Sequence, residues 1–559
     1  MKDTKVNLLT YLWEFINQSK LYYIFYLLLI PIVPLIHNFI LPLIIGNFYD
    51  SMKNKAKSMK LLFQFIIFLG IMYFLHILIN FMAWRVIPSF SEYCILRIYE
   101  YIYSNTFCNY ENINVNEIIM KISKMPTVLH DSLKMFKEET CRVFFGLLFG
   151  FIYFYKLGLK YLYTYTILVI LLLIVQYFNI DTIIQLNKKK ENIADHTYGK
   201  LGDSLYNIIS VQSFQNIQKE NSILREILNQ YSNIYYESLM KSLSFDVLNK
   251  ILNYVLSVIL GYFLIKDYYS NKLSNKTLFQ ASQIIILIGY LLDLIGLVGR
   301  SICDRFGEIY DINDFFNKEV PFDEQCRSGE DTFINGNIEF KQVYHKYDIS
   351  GVYVLENVSL SIKQGEKIAL VGESGSGKST LIKLLMKHQH LIMGNITIGN
   401  VSVKTLSAEE IAKNIMYIPQ NPKLFNRSLY DNIVYGLDKP PSKQQILDTL
   451  NNMDMDIISN DFKDKMDELC GHDGSSLSGG QRQIVWLLRS LYRIKPIIIL
   501  DEPTSALDPE NKKIVMNAIK KVGIGKTIII ISHDDIDGEF KKVHFKDGQI
   551  VESNFSMYF

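Results

Sequence analysis

The sequence predicts two domains of different class: an all-helical membrane domain with six spanning helices and long helical extensions, followed by an α/β domain of the phosphate-loop type. Long apolar runs are confined to about the first 320 of the 559 residues. In the remainder, short strand-like runs alternate with helical segments, which is typical of an α/β domain with a mainly parallel sheet. The segment 372–380 also fits the phosphate-loop pattern G-x-x-x-x-G-K-[ST], between a predicted strand and a predicted helix.

Six apolar runs mark the predicted spanning helices. A bilayer core about 30 Å thick needs roughly 20 mostly apolar residues per helix, and four runs reach that length. The third and fifth reach it only if their helices extend into flanking polar residues. Three prolines, Pro31, Pro34 and Pro42, predict a kink in the first helix. The predicted spans, within a membrane domain over residues 1–315, are 21–46, 61–84, 139–157, 161–181, 248–266 and 278–299.

The ionisable side chains inside these apolar runs include His37, His76 and Asp293. A central aspartate costs roughly 2.5–3.5 kcal/mol on membrane-insertion scales. We therefore expect all three to face the bundle interior or a water-filled cavity. Two interpretations stay open, contact with a substrate or proton, and hydrogen bonding between helices.

The segment from Gly372 to Thr380 is expected to bind nucleotide phosphates. Its glycines let the backbone turn so that successive amides point at one spot, and the following helix directs its positive dipole end there. Lys378 can reach the outer phosphates, and the Ser379 hydroxyl can ligate Mg²⁺. The predicted binding residues are Gly372, Glu373, Ser374, Gly375, Ser376, Gly377, Lys378, Ser379 and Thr380.

An acidic pair ends the apolar run 496–500, which is typical of a central buried strand. The carboxyl end of such a strand is expected beside the phosphate loop. Asp501 is placed to hold Mg²⁺, directly or through water. Glu502 can orient and deprotonate an attacking water molecule.

A third motif, Leu-Ser-Gly-Gly-Gln at 477–481, precedes a predicted helix and lies some twenty residues before Asp501. With it, residues 337–552 resemble the nucleotide-binding domain of the ATP-binding cassette (ABC) family. The resemblance implies that this signature faces the phosphate loop of a second cassette and grips the γ-phosphate of its ATP, through Ser478, Gly479, Gly480 and Gln481. Because the chain has one cassette, the resemblance also implies a dimer, with a second copy or a related half-transporter.

The resemblance assigns roles to four further residues. Tyr347 would stack on adenine, although His345 stands where an aromatic is commoner and a core tyrosine is the alternative. Gln420 would touch Mg²⁺ and the attacking water and sense the membrane half. Asp508 would lie in the loop that crosses the dimer interface. His533 would contact the γ-phosphate and, with Lys378, stabilise charge while Glu502 acts as the base.

Five residues depart from the family's pattern. His472 lies just upstream of the signature, where an acidic residue is frequent, and Trp486 and Leu488 replace small residues on the signature helix. Asp534 and Asp535 stand where a basic residue is common. Contacts with the membrane half are therefore expected to differ. No group needed for chemistry is lost, so a competent ATPase is expected.

Six spans followed by one cassette resemble the exporter branch of the family (B-type, type IV fold), with coupling helices near 105–118 and 206–214. Residues 316–335 form the predicted linker and 336–559 the nucleotide-binding domain. The resemblance implies ATP-driven export by alternating access in a lipid bilayer. A lipid, a peptide and an amphipathic small molecule remain open as substrates. A net charge of +2 predicts no nucleic-acid partner.

Orientation follows from the nucleotide, since ATP and Mg²⁺ abound in the cytosol. The cassette of this multi-pass protein is therefore expected on the cytosolic side, or on the matrix side of an organelle. The loop after the first run conflicts with the positive-inside rule, because it holds Lys53, Lys55, Lys57 and Lys60 on the predicted outer side.

Three other functions are weaker alternatives. An ATP-gated channel or transport regulator could use the same architecture with ATP as a switch. A soluble cassette ATPase would lack the apolar runs. An importer usually separates membrane and cassette chains and needs a binding protein.

Overall fold

The computed structural model describes residues 5–19, 21–51, 54–105, 115–320, 336–347, 351–493, 495–504, 507, 509–533 and 540–551. The chain divides into two compact units. The first comprises residues 1–102 and 114–321, and the second comprises residues 103–113 and 322–559.

The described residues of the first unit form helices joined by short connections. Each polar backbone group in an apolar helix is satisfied within the helix, which is why helices suit a membrane environment. The segments are Leu8–Ser19, Leu21–Leu29, Ile32–Leu35, the π-helix Ile36–Ile40, Leu41–Asp50, Lys55–Asn105, Val115–Met135, the π-helix Phe136–Thr140, Cys141–Leu157, Leu159–Tyr206, Ile208–Ser213, Ile217–Tyr269 and Asn275–Glu319.

Among the described residues, five helices are long and apolar enough to cross a membrane, and a sixth span results if one bent pair counts as a single span. That pair, Leu8–Gln18 and Tyr23–Leu35, meets at 108°. The predicted first run is broken beside Pro31 and contains a π-helical turn, in keeping with its three prolines. The two short predicted runs lie inside the long helical stretches Glu117–Leu157 and Ile217–Tyr269, so both gain the length that they lack alone.

The long helices continue past their apolar runs because charges join them. The buried Lys121 donates to Asp195 at 2.8 Å and to Asp311 at 2.5 Å, and the three residues belong to three different helices. A buried ammonium is tolerated only when it is paired in this way. This triad therefore fixes the register of the three helical extensions.

The last helix corrects the predicted start of the linker. Residues 316–319 are helical, because Phe316 is fully buried and the Asn317 amide bonds both the N–H and the carbonyl of Val6, at 2.8 and 3.0 Å. The rest of the predicted linker, residues 321–335, lies outside the described residues. Residues 106–114 of the predicted first coupling helix also lie outside them. A short helix, Ile208–Ser213, occupies the place of the predicted second one.

Asp293 contributes to helix packing. It accepts a hydrogen bond at 2.8 Å from Asn253 on the neighbouring helix Ile217–Tyr269. Asn253 also donates to the Gly289 carbonyl at 2.8 Å. Of the two interpretations of Asp293, the structure thus supports hydrogen bonding between helices.

The second unit contains two sheets. The strands are β1 Ile338–His345, β2 Leu355–Ile362, β3 Lys367–Gly372, β4 Met393–Ile398, β5 Val401–Ser402, β6 Ile415–Ile418, β7 Ile497–Asp501, β8 Thr527–Ser532, β9 Lys541–Lys546 and β10 Gln549–Val551. A six-stranded sheet has the order β10-β9-β3-β8-β7-β6 and is parallel except for the β9–β10 pair. It confirms the predicted mainly parallel sheet. The antiparallel sheet β2-β1-β4-β5 was not predicted.

Helices cover the six-stranded sheet and bury its central strands on both faces, which explains their continuous apolar sequence. The α-helices of this unit are Lys378–Leu385, Ala408–Asn414, Leu429–Ile433, Lys443–Asn452, Asp456–Lys465, Gly479–Tyr492 and Pro509–Val522. Because β3, β8 and β7 are adjacent and parallel, their carboxyl ends, Gly372, Ser532 and Asp501, lie at one edge. This edge is where ligands bind in open α/β sheets.

Glycines on the last helix of the first unit allow close packing. A Cβ at Gly296 would lie 2.9 Å from the Asn249 amide nitrogen and 2.9 Å from an Asp246 carboxylate oxygen. A Cβ at Gly299 would lie 2.9 Å from the side-chain oxygen of Gln176. Small residues leave room between membrane helices, and Gly296 and Gly299 leave room for these polar side chains beside the helix.

We predict that Gly296→Ala lowers the stability of the helical unit by roughly 1–3 kcal/mol, the usual effect of overpacking. Gly307→Ala on the same helix is the matched control, since its Cβ would meet no atom within 4 Å. The measurement is the thermal unfolding midpoint in lipid nanodiscs. Equal midpoints for the two variants would contradict the packing role.

Candidate nucleotide site

The phosphate loop joins the end of β3 to the helix Lys378–Leu385. Gly375 and Gly377 have φ of 81° and 99°, in the left-handed region that favours glycine. At Gly372 the constraint is space, because a Cβ would lie 2.2 Å from the Phe545 carbonyl oxygen of β9. The loop glycines therefore set both the turn of the backbone and its contact with the sheet.

Lys378 lies buried under this loop. Its ammonium donates to the carbonyls of Gly372 and Glu373, both at 2.7 Å, and to the Ser376 hydroxyl at 3.2 Å. Burial lowers the pKa of Lys378, while the charge of Glu502 opposes the shift. The cation is thus held by neutral oxygens, which leaves its charge uncompensated within the loop itself.

Asp501 ends β7 with little exposure to solvent. Burial raises the pKa of its carboxyl group, and the Tyr417 hydroxyl, which donates at 3.0 Å, opposes that shift. The Ser379 hydroxyl lies 3.5 Å from the other carboxylate oxygen. A buried carboxylate with neutral hydroxyl neighbours is a suitable ligand for a cation.

Glu502, the residue after Asp501, has an unusual backbone conformation. Its φ is 47°, a left-handed conformation that is rare for residues other than glycine. Its N–H donates to the Ile531 carbonyl of β8 at 3.0 Å, and this bond keeps the turn in place. The Gln420 amide donates to one carboxylate oxygen at 2.5 Å, and the His533 imidazole contacts the other. Both oxygens of Glu502 are therefore oriented.

His533 connects this carboxylate to the phosphate loop. Its Nδ1 lies 3.0 Å from the Gly372 carbonyl, the same oxygen that Lys378 contacts. Its Nε2 faces Glu502. The structure thus brings Gly372, Lys378, Glu502 and His533 into one cluster, joined to Asp501 through β7.

Tyr347 lies beside the loop. Its hydroxyl is 3.0 Å from the Thr380 hydroxyl, and its side chain is 54% exposed. The alternative of a core tyrosine is therefore wrong, while His345 beside it is buried and packs edge-on to its ring at 5.3 Å. The exposed ring leaves a face for a planar ligand.

The signature begins the helix Gly479–Tyr492. Ser478 and Gln481 form a capping box, in which the Ser478 hydroxyl accepts from the Gln481 N–H at 3.2 Å and the Gln481 side chain accepts from the Ser478 N–H at 2.8 Å. The Gln481 amide also donates to Asp461. A Cβ at Gly479 would meet no atom within 4 Å, so the helix start is open there.

Among the described residues, those that contact the signature differ from those that contact the phosphate loop. Gly480 lies against Leu507, whose Cδ2 would be 3.0 Å from an added Cβ. Asp508, predicted to cross a dimer interface, lies outside the described residues. The structure therefore does not place the signature with the phosphate cluster of the same chain.

Of the described residues that depart from the family's pattern, His472 is exposed, Trp486 is partly buried and Leu488 is buried. The His472 side chain is 93% exposed and lies 3.7 Å from Asp473. The Trp486 indole donates to the Lys423 carbonyl at 3.2 Å and packs against the Arg489 guanidinium at 5.0 Å. Asp534 and Asp535 lie outside the described residues.

Sequence reasoning missed Tyr417, which donates to Asp501. The available signal was a phenol in β6, the strand that pairs with the carboxylate strand β7. It went unused because the sequence of neither strand shows how two strands distant in the chain are aligned. For the same reason the sequence did not show that the Gly372 carbonyl contacts both Lys378 and His533.

Three comparisons bear on this geometry. Residues 355–505 match the family model described as ABC transporter. The ATP-dependent lipid A-core flippase of Legionella pneumophila (strain Lens) is 39% identical over 221 residues, which are 39% of this chain and 37% of that protein. The same-named protein of Francisella tularensis subsp. tularensis (strain FSC 198) is 32% identical over 241 residues, 43% of this chain and 39% of that protein. The matches thus span about two fifths of these relatives' length.

A solved structure of a bacterial Atm1-family ABC exporter with ATP bound superimposes with a TM-score of 0.84 at 19% identity, over 95% of this chain and 94% of that one. Residues 355–505 are thus similar to the ABC transporter family, and the chain shares the fold of that exporter. The predicted fold class, a helical membrane domain fused to one ABC cassette, is thereby confirmed. The helices that are long and apolar enough to cross a membrane support a multi-pass membrane protein.

Proposed function

We propose that this protein is an ATP-driven exporter that works as a dimer of half-transporters. The observation that carries the proposal is the cluster of Lys378, Glu502 and His533 around one backbone carbonyl, beside Asp501. It lies in an ABC transporter domain, in a chain that has an exporter fold and helices able to cross a membrane. The relatives and the fold favour export over an ATP-gated channel.

ATP would bind with its phosphates on the loop 372–380 and its adenine against Tyr347. The amides of the loop and the Lys378 ammonium would hold the outer phosphates, replacing the carbonyl contacts that Lys378 makes in this structure. Glu502 would orient the attacking water and take its proton. Gln420 and His533 fix the two oxygens of that carboxylate, which limits where the water can sit.

The residues present also fit Mg²⁺. The Ser379 hydroxyl, the Gln420 amide oxygen and the Asp501 carboxylate are oxygen donors, the type that Mg²⁺ prefers. Burial raises the pKa of Asp501, so its anion lacks full compensation from the protein. When bound, Mg²⁺ neutralises charge on the phosphate oxygens.

Two copies would complete each site. The open start of the signature helix at Ser478 and Gly479 offers a hydroxyl proton and backbone amides to an anion. Because the contacts of the signature and those of the phosphate cluster involve different residues within the described part of the chain, these donors would serve the ATP of a partner. Two-fold symmetry makes the two sites equivalent if the partner is identical.

In the proposed cycle, ATP draws the two cassettes together and the membrane helices change from inward-facing to outward-facing. Hydrolysis then resets the dimer. The cassette would face the cytosol, where ATP is abundant, with the helical unit in the bilayer. A lipid, a peptide and an amphipathic small molecule are all compatible with this cycle.

We predict that Glu502→Gln retains ATP binding and loses hydrolysis, because the amide cannot accept the proton of the attacking water. The turnover number should fall on the order of 10²–10⁴-fold, the usual contribution of a general base. Glu409→Gln, an exposed carboxylate on another helix, is the control and should match the unmodified protein. Phosphate release by protein in nanodiscs measures the effect. Full activity in Glu502→Gln would refute the role of this residue.

A complementation experiment tests the composite site. Homodimers of Lys378→Ala and of Ser478→Arg should both be inactive, the first for lack of the phosphate-loop cation and the second for a blocked signature. When the two chains are co-expressed, a mixed dimer regains one intact site, so ATPase activity should return. If each site formed within a single chain, the mixture would stay inactive.

Tyr417→Phe removes the hydroxyl that donates to Asp501. Partners that orient a metal ligand typically contribute 10–100-fold to metal affinity, so the half-saturating Mg²⁺ concentration for ATPase activity should rise about tenfold or more. Tyr344→Phe, whose ring packs on Tyr353 instead, is the control. An unchanged Mg²⁺ titration in Tyr417→Phe would show that Tyr417 does not orient Asp501 for the cation.

A further inference from the structure

Lysines are concentrated at three tight connections between consecutive helices of the helical unit, each one to five residues long. Together with the adjacent helix ends, these connections form the segments 50–60, 156–160 and 266–276, which hold nine lysines and two aspartates. We call these nine lysines the lysine rim. The rim includes the loop that conflicts with the positive-inside rule, so that conflict is not confined to one loop but is shared by all three connections.

The three segments lie at one end of the helical unit. The Lys160 ammonium pairs with Asp267 at 2.5 Å, which joins the second segment to the third. The Gln280 amide, after the third segment, donates to the Leu43 carbonyl, before the first, at 3.4 Å. Lys160 and Asp195 of the charged triad are 35 residues apart on one helix, a rise of roughly 50 Å. The rim therefore lies at the end away from the helical extensions.

Few carboxylates accompany the rim. Of the two aspartates, Asp267 is buried and pairs with Lys160, and the side chain of the other lies outside the described residues. Lys55, Lys57 and Lys60 are exposed, and none of them is paired with a carboxylate within the part of the chain that the structure describes. The rim thus presents positive charge to its surroundings.

Helix stability alone does not explain these cations. The helix dipole favours a cation at the C-terminus and disfavours one at the N-terminus. Lys156 and Lys266 lie in the last turns of their helices and suit the dipole. Lys55, Lys160 and Lys276 lie in the first turns of theirs, where no acidic residue accompanies them. These three oppose the dipoles of their helices, so their position suits negative charge from outside the helix.

Exposed tyrosines indicate the depth of the rim in a membrane. Tyr155, Tyr163, Tyr262 and Tyr269 each lie within four residues of a rim lysine and are 58–80% exposed. Tyrosine is enriched where a bilayer meets water, and lysines at the ends of apolar helices extend their ammonium groups toward the headgroups. Because the connections are short, the lysines cannot move far from that level.

We propose that the lysine rim binds the anionic headgroups of the lipid leaflet at this end of the helical unit. A cation near an anionic bilayer surface raises the affinity about fivefold, so the rim favours anionic over zwitterionic lipids. A soluble polyanion fits less well, because the lysines come from three short connections flanked by tyrosines that suit a bilayer surface. Such binding needs a bilayer but no transport, and it is independent of the proposed export function.

Lipid association is measured without nucleotide, on the full chain in phosphatidylcholine vesicles that contain a trace of spin-labelled phosphatidylglycerol or spin-labelled phosphatidylcholine. Electron paramagnetic resonance gives the fraction of each label that the protein immobilises. We expect several-fold stronger association of phosphatidylglycerol at about 0.1 M NaCl, and a smaller difference at about 1 M NaCl, where exposed charges are screened. Equal association of the two lipids at the lower salt concentration would overturn the proposal.

A variant that removes charge locates the site. Replacing Lys55, Lys57 and Lys60 together with glutamine should lower the preference for phosphatidylglycerol at least twofold, because three exposed cations leave the rim. The variant is first checked for an unchanged thermal unfolding midpoint. If it is unfolded, Lys156→Gln combined with Lys272→Gln replaces it.

The matched control replaces three exposed cations of the helical extensions, Lys200, Lys219 and Arg225, with glutamine. This variant should keep the preference of the unmodified protein. An unchanged preference in the folded rim variant, or an equal loss in the control, would overturn the assignment to the rim.

Polyphosphate is the probe for a soluble partner, and its binding is measured with the same proteins in phosphatidylcholine nanodiscs. If the unmodified protein binds polyphosphate, the rim variant does not, and the two lipids associate equally, the rim serves a soluble polyanion and the lipid proposal fails. A phosphatidylglycerol preference that falls only in the rim variant supports the proposal.

Discussion

The nucleotide site depends on the carbonyl oxygen of Gly372. Lys378 and His533 both contact this one acceptor, so the loop, the helix after it and the end of β8 meet at a single point. Glu502 then contacts His533 on the adjacent strand end. β3, β8 and β7 are neighbours in one parallel sheet, and each is followed by one of these three groups. A displacement of any one strand would therefore move its own group, cation, imidazole or carboxylate, away from the other two.

Much of this site could be predicted because its signals are local. The phosphate loop needs glycines at fixed spacing, and the observed φ values at Gly375 and Gly377 are the ones that spacing implies. The acidic pair followed a run apolar enough to be a central strand. The left-handed backbone at Glu502 could not be read in this way, since it is held by a hydrogen bond to Ile531 of another strand. Tyr417 was missed for the same reason, because its partner lies 84 residues away.

Length and composition predicted the helical unit, but its polar interactions came only from the structure. Runs of apolar residues gave the spans, whereas the extensions depend on Lys121 bridging Asp195 and Asp311 from two other helices. Two distant acids and one lysine are indistinguishable in the sequence from surface charges. The last helix likewise continues through Phe316, although the sequence there is polar. The Phe316 ring is buried, and Asn317 is hydrogen-bonded to Val6 of the N-terminal segment.

The ionisable residues of the apolar runs show why one sequence signal can have two structural meanings. Asp293 and the two histidines all belong to apolar runs, where an ionisable group is costly to place in a membrane. Asp293 meets that cost with Asn253 on a packed neighbour, and this interaction can be complete without any ligand. His37 and His76 instead line a cavity together with Lys137, Glu138 and Arg142, and Lys137 is paired there with Glu138 and Asn80. Side chains of the protein itself thus compensate the charge of Asp293 and that of Lys137. The partner of Asp293 lies on another helix, so the sequence around Asp293 shows the cost of the charge but not the group that meets it.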